Sequence, residues 1–190
     1  MLDSLIEFDK NLMLAINGTT SSWADFIMPI ITYKYTGIPI YLTILFFLFY
    51  KRKTKVAIIM TLAVIATFAL CDSLSVSLFK HTVQRLRPCW DPTISEYVRM
   101  LEYKGGQYGF VSSHAANLFG LATISSLLIK KRVYTLLIFI WAALVGYSRV
   151  YVGKHFPLDV ICGALFGMLI GYLIWLLYKF IMRRLYPANK

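Results

Sequence analysis

Long apolar runs separated by short basic clusters dominate the chain. A helix needs about 20 apolar residues to cross a hydrocarbon layer of about 30 Å. Clear runs of this kind cover 56–79, 112–129, 133–148 and 157–180. A fifth, 24–50, is interrupted by Lys34 and by Gly37-Ile38-Pro39. An interrupted helix is tolerated at membrane depth only where protein or water satisfies the freed backbone groups. Residues 35–50 are therefore read as its well-formed part, and 24–31 as a tilted or partial helix. In the segment 2–17, Leu2, Leu5, Ile6, Phe8, Leu12, Met13 and Ile16 are interspersed with Asp3, Glu7, Asp9 and Lys10. That mixture predicts an amphipathic helix on the outer membrane interface. Its charges and the lack of a basic leader argue against a cleaved signal peptide. The pattern as a whole predicts an all-α, polytopic transmembrane helical bundle of about five spans. It forms a single domain over 1–190: an interfacial helix and linker at 1–23 and the bundle at 24–182, with an outward loop at 80–111.

Composition sharpens this picture. Of 190 residues, 58% are apolar and 15% charged, against about 45–50% and about 25% in soluble domains. A water-soluble core is excluded, and so is disorder, which requires low hydrophobicity. The net charge of +11 does not imply nucleic acid, because the basic residues fall between spans rather than over one face. Lys51, Arg52, Lys53 and Lys55, then Lys130, Lys131 and Arg132, then Lys179, Arg183, Arg184 and Lys190 all fall on one side of a five-span arrangement. The excess of Lys and Arg marks that side as cytoplasmic, which turns the N-terminus and the loops 80–111 and 149–156 outward. Cys71 and Cys162 fall inside spans, and Cys89 alone is expected to be exposed in an outward loop, so no internal disulfide is expected.

Ionisable residues gather at the outward span ends in three blocks: 80–88, 111–114 and 148–159. A compact bundle would bring Lys80, Arg87 and Arg149 around His114 and His155, a site for a multiply charged anion such as phosphate. Ser112 and Ser113 open a span, so a helix N-terminus would point unpaired N–H groups at that anion, with the Ser112 hydroxyl capping the helix or reaching a phosphate oxygen. Pro157 suits a first helical turn. His155 and Asp159, four apart, then share a face. Asp159 can fix one imidazole nitrogen and leave the other free to attack, and His114 can supply a proton to the leaving oxygen. Two histidines and one carboxylate among cations would repel a divalent ion, so neither a metal site nor any other cofactor is expected.

These blocks resemble the signature of the type 2 phosphatidic acid phosphatase (PAP2, or lipid phosphate phosphatase) superfamily: K-x6-R-P, then P-S-G-H, then S-R-x5-H-x3-D. The first matches as Lys80 through Arg87-Pro88, and the third as Ser148-Arg149, His155 and Asp159. The middle block departs, with Val111 for proline and Ser113 for glycine, which is expected to alter affinity or selectivity rather than abolish activity. The resemblance implies a metal-independent enzyme in which His155 forms a phosphohistidine, Asp159 orients it, and His114 protonates the leaving group and then activates water. Lys80, Arg87, Arg149, Ser112 and Ser113 would hold the phosphate.

The expected function is hydrolysis of a phosphate monoester or pyrophosphate on a lipid headgroup, at an outward-facing site in a bacterial inner membrane. Undecaprenyl pyrophosphate is favoured by analogy with compact family members. The alternatives are lipid A or phosphatidylglycerol phosphate, or a non-enzymatic lipid-phosphate binder or transporter. The partners are then the bilayer and its lipid phosphate, with no nucleic acid. Some polar residues fall outside the motifs. His81 and Arg85 are expected on the loop surface, Lys154 in solvent, and Asp72 behind the basic cluster or as a neutral structural group. Trp90, Tyr97, Tyr103, Tyr108, Tyr147 and Tyr151 are expected in an interfacial belt.

Overall fold

The computed structural model describes residues 2–33 and 35–187. Lys34, Lys190 and the side chain of Leu2 lie outside the described residues. The helices are α1 (Leu2–Asn17), α2 (Ser22–Thr32), α3 (Ile38–Phe49), α4 (Thr54–Leu74), α5 (His81–Val83), α6 (Ser113–Ile129), α7 (Arg132–Tyr151) and α8 (Pro157–Leu185). A π-helical segment, Ser75–Lys80, joins α4 to α5 without a break. Among the described residues β pairing is confined to an isolated bridge between Leu86 and Tyr108. The all-helical membrane architecture expected from the pattern is what the structure has.

The chain passes between two ends of the bundle in α3, α4, α6, α7 and α8. Three helical stretches, Thr54–Val83, Arg132–Tyr151 and Pro157–Leu185, are long and apolar enough to cross a membrane. The apolar helices α3 and α6 are shorter; at 1.5 Å per residue α3 rises only about 18 Å. The 11-residue α2 carries Pro29 within it and stays at one end, packed on α7. At the other end Arg52 donates to the Leu128 carbonyl at 3.0 Å, and Lys131 lies over the Phe47 ring at 4.7 Å. Two of the three basic clusters thus meet at the end opposite the three ionisable blocks.

Helix α6 is central, and α8 approaches it more closely than side chains would allow. A Cβ on Gly163, Gly167 or Gly171 would stand 2.6, 2.1 and 2.7 Å from the carbonyl oxygens of Ser112, Ala116 and Gly120. Both sets repeat every four residues, so each is a stripe on one helix face, and small residues are what let membrane helices meet backbone to backbone. This stripe fixes the register of the two helices whose N-terminal ends carry His114 and Asp159. The backbone N–H of Ser112 donates to the Asp159 carbonyl at 2.9 Å and ties those ends together directly.

Helix α1 is amphipathic in an inverted sense. Its ridge facing the protein is Asp9, Met13 and Asn17, all buried, while Leu5, Phe8 and Leu12 are exposed. Asn17 clasps the outward loop: its amide donates to the carbonyls of Arg99 (2.8 Å) and Tyr151 (2.7 Å) and accepts from the Arg99 N–H (2.8 Å). Lys10 pairs with Asp91 at 2.7 Å. Two sequence expectations are corrected here. Cys89 is buried rather than exposed, because the 3-10 turn Pro88–Trp90 folds it inward. Tyr151 is not in a belt: it is 1% exposed, and its hydroxyl donates to Asp25 at 2.7 Å.

Candidate active site

A cavity of about 600 Å³ opens at the end of the bundle where the three blocks meet. Lys80, Arg87, Ser113, His114, Arg149 and His155 all line it, together with Asp72, Tyr103 and Lys154. The same cavity continues to Ile31, Tyr41, Phe68, Leu118 and Trp141, so a cationic rim sits above an apolar floor. That arrangement matches a molecule with an anionic head and a hydrocarbon body.

Each cation is held by its own local structure. The π-helical segment has i→i+5 bonding and brings Ser75 and Lys80 to the same neighbour: Lys80 donates to the Ser113 hydroxyl at 2.8 Å, and the Ser75 and Ser113 hydroxyls are 2.7 Å apart. The serine that stands where the family pattern has glycine therefore anchors Lys80. Gln84, in the left-handed conformation, ends the helix and turns the chain into a short pairing in which Arg87 N–H donates to Gln107 (2.9 Å) and Gly109 N–H to Arg85 (2.8 Å). Arg87 is steadied further by donating to the Tyr108 carbonyl at 3.2 Å. Arg149, 5% exposed, donates to Thr32 and lies 3.4 Å from Glu102. Among the described residues its Nε has no hydrogen-bond partner.

His155 is 2% exposed, and its Nδ1 lies 3.5 Å from Asp159 Oδ2. That separation exceeds a formed hydrogen bond, and among the described residues Nδ1 has no other partner, which leaves Nε2 as the nitrogen open to substrate. Asp159 is fully buried. Its Oδ2 accepts from the Phe156 N–H at 3.1 Å, reaching back over the first turn of α8, and its Oδ1 accepts from Arg85 at 2.8 Å. Gly109 crosses directly above this pair: a Cβ there would stand 3.1 Å from Asp159 Oδ2 and 3.5 Å from His155 Nδ1. Burial, reinforced by the nearby charges of Arg87, Arg149, Lys80 and Lys154, holds the His155 imidazole well below the usual histidine range. The ring is therefore neutral, with a lone pair available, at ordinary pH.

Not every expected residue reaches the cavity. Ser112 is fully buried and acts as the N-cap of α6, accepting from Ala115 N–H at 3.4 Å; it does not line the cavity. Asp159 lies behind His155 rather than in the wall. Asp72 does line it and accepts from Asn117 at 3.1 Å, with no direct ion pair to Lys80. Two expectations are overturned. Lys154, expected in solvent, is 2% exposed, donates to the Tyr103 carbonyl and adds a fourth cation to the rim. Gly153, at φ +84°, makes the turn that points Lys154 inward, and spacing alone carries no sign of it. Arg85, expected on the loop surface, bridges Asp159 and Asp9 and stacks over Phe156 at 4.2 Å. Among the described residues no group of three His, Cys, Asp or Glu side chains is arranged to hold a metal ion.

The PAP2 superfamily matches residues 56–183. A lipid A 4'-phosphatase of Porphyromonas gingivalis is 36% identical over 189 residues, covering 99% of this chain and 80% of the relative. An undecaprenyl-diphosphatase of Sulfolobus acidocaldarius is 34% identical over 142 residues, covering 74% of this chain and 62% of that one. The crystal structure of a PAP2-type phosphatidylglycerolphosphate phosphatase from Bacillus subtilis superposes with a TM-score of 0.75 at 25% identity, covering 95% of this chain and 89% of that one. With the family match spanning two-thirds of its length and a relative of this identity aligned along nearly all of it, the chain belongs to the PAP2 superfamily.

Proposed function

We propose that this protein is a multi-pass membrane phosphatase that removes a phosphate monoester from a lipid of the lipid A class. The observation that carries the phosphatase reading is the cavity itself, in which four cations and two histidines surround one space above an apolar floor. The lipid A assignment rests on the 36% identity to a lipid A 4'-phosphatase along almost the entire chain. The undecaprenyl pyrophosphate preference drawn from compactness is less well supported, because the undecaprenyl-diphosphatase match covers less of both chains.

In this reading the anionic headgroup offsets the surrounding cations and lets His114 take up a proton; Nε2 of His155 then attacks phosphorus as the P–O bond to the lipid breaks, and His114 gives that proton to the departing lipid oxygen. Asp159, already near Nδ1, stabilises the positive charge the ring acquires. Lys80, Arg87, Arg149 and Lys154 face the phosphoryl oxygens, so the charge developing in the transition state meets preorganised donors. His114, now the base, takes a proton from water, which attacks the phosphohistidine and releases inorganic phosphate. The site lies on the outer side of a bacterial inner membrane, opposite the basic clusters.

The test is phosphate release by purified protein from lipid A, undecaprenyl pyrophosphate and phosphatidylglycerol phosphate in detergent, with and without chelator. Lipid A is expected to show the highest kcat/KM, unchanged by chelator. A clear preference for the polyprenyl substrate would reverse the substrate assignment. Binding of lipid A without release of phosphate from any of the three would support the binder reading instead.

A further inference from the structure

The catalytic pair is coupled to the N-terminal helix through a residue that matches no motif position. Arg85 lies on the outward loop, between the motif residues Lys80 and Arg87. Its guanidinium spans two acids: Nη1 is 2.8 Å from Asp159 Oδ1 and Nη2 is 2.6 Å from Asp9 Oδ2. Both carboxylates are buried, Asp9 at 1% and Asp159 at 0% exposure. The other oxygen of Asp9 accepts from the Leu158 N–H at 2.9 Å, in the first turn of α8 beside Asp159. The guanidinium carbon lies over Phe156, 4.2 Å from the ring centroid.

We propose that Asp9 and Arg85 are positioning residues that set the orientation of Asp159, and through it the His155 nucleophile. The inference rests on the phosphatase reading given above. A carboxylate orients an imidazole only if its own rotamer is held. Here Asp159 has one oxygen committed to Arg85, and the other accepts from the Phe156 N–H and stands 3.5 Å from His155 Nδ1, where a small shift would close the contact. A lone arginine could swing away, but Asp9 holds its second nitrogen, and a planar fork bonded at both prongs has little freedom left. Among the described residues the Asp9 carboxylate accepts from Arg85 and from the Leu158 N–H at the α8 N-terminus, and these partners offset its burial. The relay also gives α1 a role in the site: Asp9 sits on the buried ridge while Leu5, Phe8 and Leu12 of the same helix are exposed. Helix α1 therefore holds one end of the catalytic relay.

The experiment uses the full-length protein in detergent with a lipid A substrate, comparing wild type, Asp9→Asn, Arg85→Met, Arg85→Lys and each of the first two combined with Asp159→Asn. Asp9→Asn keeps an oxygen for the Leu158 N–H and removes the charge that holds Arg85. Loss of a group that orients a reacting side chain is expected to lower kcat by roughly 10- to 100-fold, with KM little changed, and Arg85→Lys should recover part of the loss. Because both residues act through Asp159, neither substitution should lower the residual rate further once Asp159 is asparagine. Thermal unfolding of each variant separates this from collapse of the fold. A variant that unfolds is replaced by its milder partner, Asp9→Glu or Arg85→Lys, for which the same kcat effect without a KM effect is expected at smaller size. The proposal is overturned by unchanged kcat in a folded variant, by a change confined to KM, or by equal losses with and without Asp159. If wild type itself releases no phosphate, the failure lies with the enzyme reading and not with the relay.

Discussion

His155 combines burial with a free ring nitrogen, and that burial, reinforced by the cations around it, sets its protonation state. Four positive groups face an imidazole that is 2% exposed, and both effects disfavour a fifth charge. With its pKa depressed well below the ordinary value of 6.5, the ring is neutral at neutral pH and takes up a proton only below the usual histidine range. Ring-nitrogen NMR of the three histidines, assigned with His155→Ala, is expected to show a His155 resonance whose midpoint lies well below the ordinary histidine value. A midpoint at or above 6.5 for His155 would contradict the electrostatic picture. Ser113 makes a second prediction at this scale. Its hydroxyl holds Lys80 at 2.8 Å, so Ser113→Ala should raise KM for the lipid phosphate while leaving kcat nearly unchanged. A drop in kcat alone would assign the hydroxyl to the chemistry instead.

At the scale of elements, what fixes the site is the meeting of α6 and α8. The glycine stripe lets the two backbones touch, and the Ser112–Asp159 backbone hydrogen bond closes the contact at the site end. Gly167→Ala would put a methyl 2.1 Å from the Ala116 carbonyl oxygen, so the helices must separate. The expected cost is about 1–3 kcal/mol of stability, measured by thermal unfolding in detergent, even though alanine is the better helix former. An unchanged or higher Tm would mean the stripe is not a contact. The same elements explain which parts of the site could be read in the sequence. Lys80, Arg87, Arg149, His114, His155 and Asp159 stand at helix ends, where apolar runs stop and ionisable residues begin, and their spacing survives as a linear pattern. Arg85, Asp9 and Lys154 left no such trace. Arg85 finds partners 74 and 76 positions away, and Lys154 turns inward because of a single glycine. The inverted amphipathicity of α1 was equally hidden: its alternation of charge and apolar residues predicted an interfacial helix, without saying that a buried acid would face the protein.

For the whole molecule, polarity is the property that joins fold to function. The ionisable blocks gather at one end, and basic residues at 51–53 and 130–132 meet at the other, as Arg52 and Lys131 document. If the Lys- and Arg-rich end is cytoplasmic, the cavity opens outward. In intact cells, with Cys71, Cys89 and Cys162 replaced, a membrane-impermeant maleimide should then label Tyr97→Cys but label Lys53→Cys only after permeabilisation. The reverse pattern would turn the molecule over and place its substrate in the inner leaflet. The cavity's two-part lining, cationic above and apolar below, also explains why a phosphate-bearing lipid rather than a soluble phosphate ester fits it: a short-chain ester would leave Ile31, Phe68, Leu118 and Trp141 without a partner.

The central claim is that a phosphoryl group leaves the lipid for the imidazole at position 155. Rapid quenching of enzyme with radiolabelled lipid A, followed by proteolysis under alkaline conditions and mass spectrometry, reads this directly. The account predicts acid-labile phosphohistidine on the peptide containing His155, and its absence in His155→Ala. Label on His114, or full turnover by His155→Ala, would contradict it.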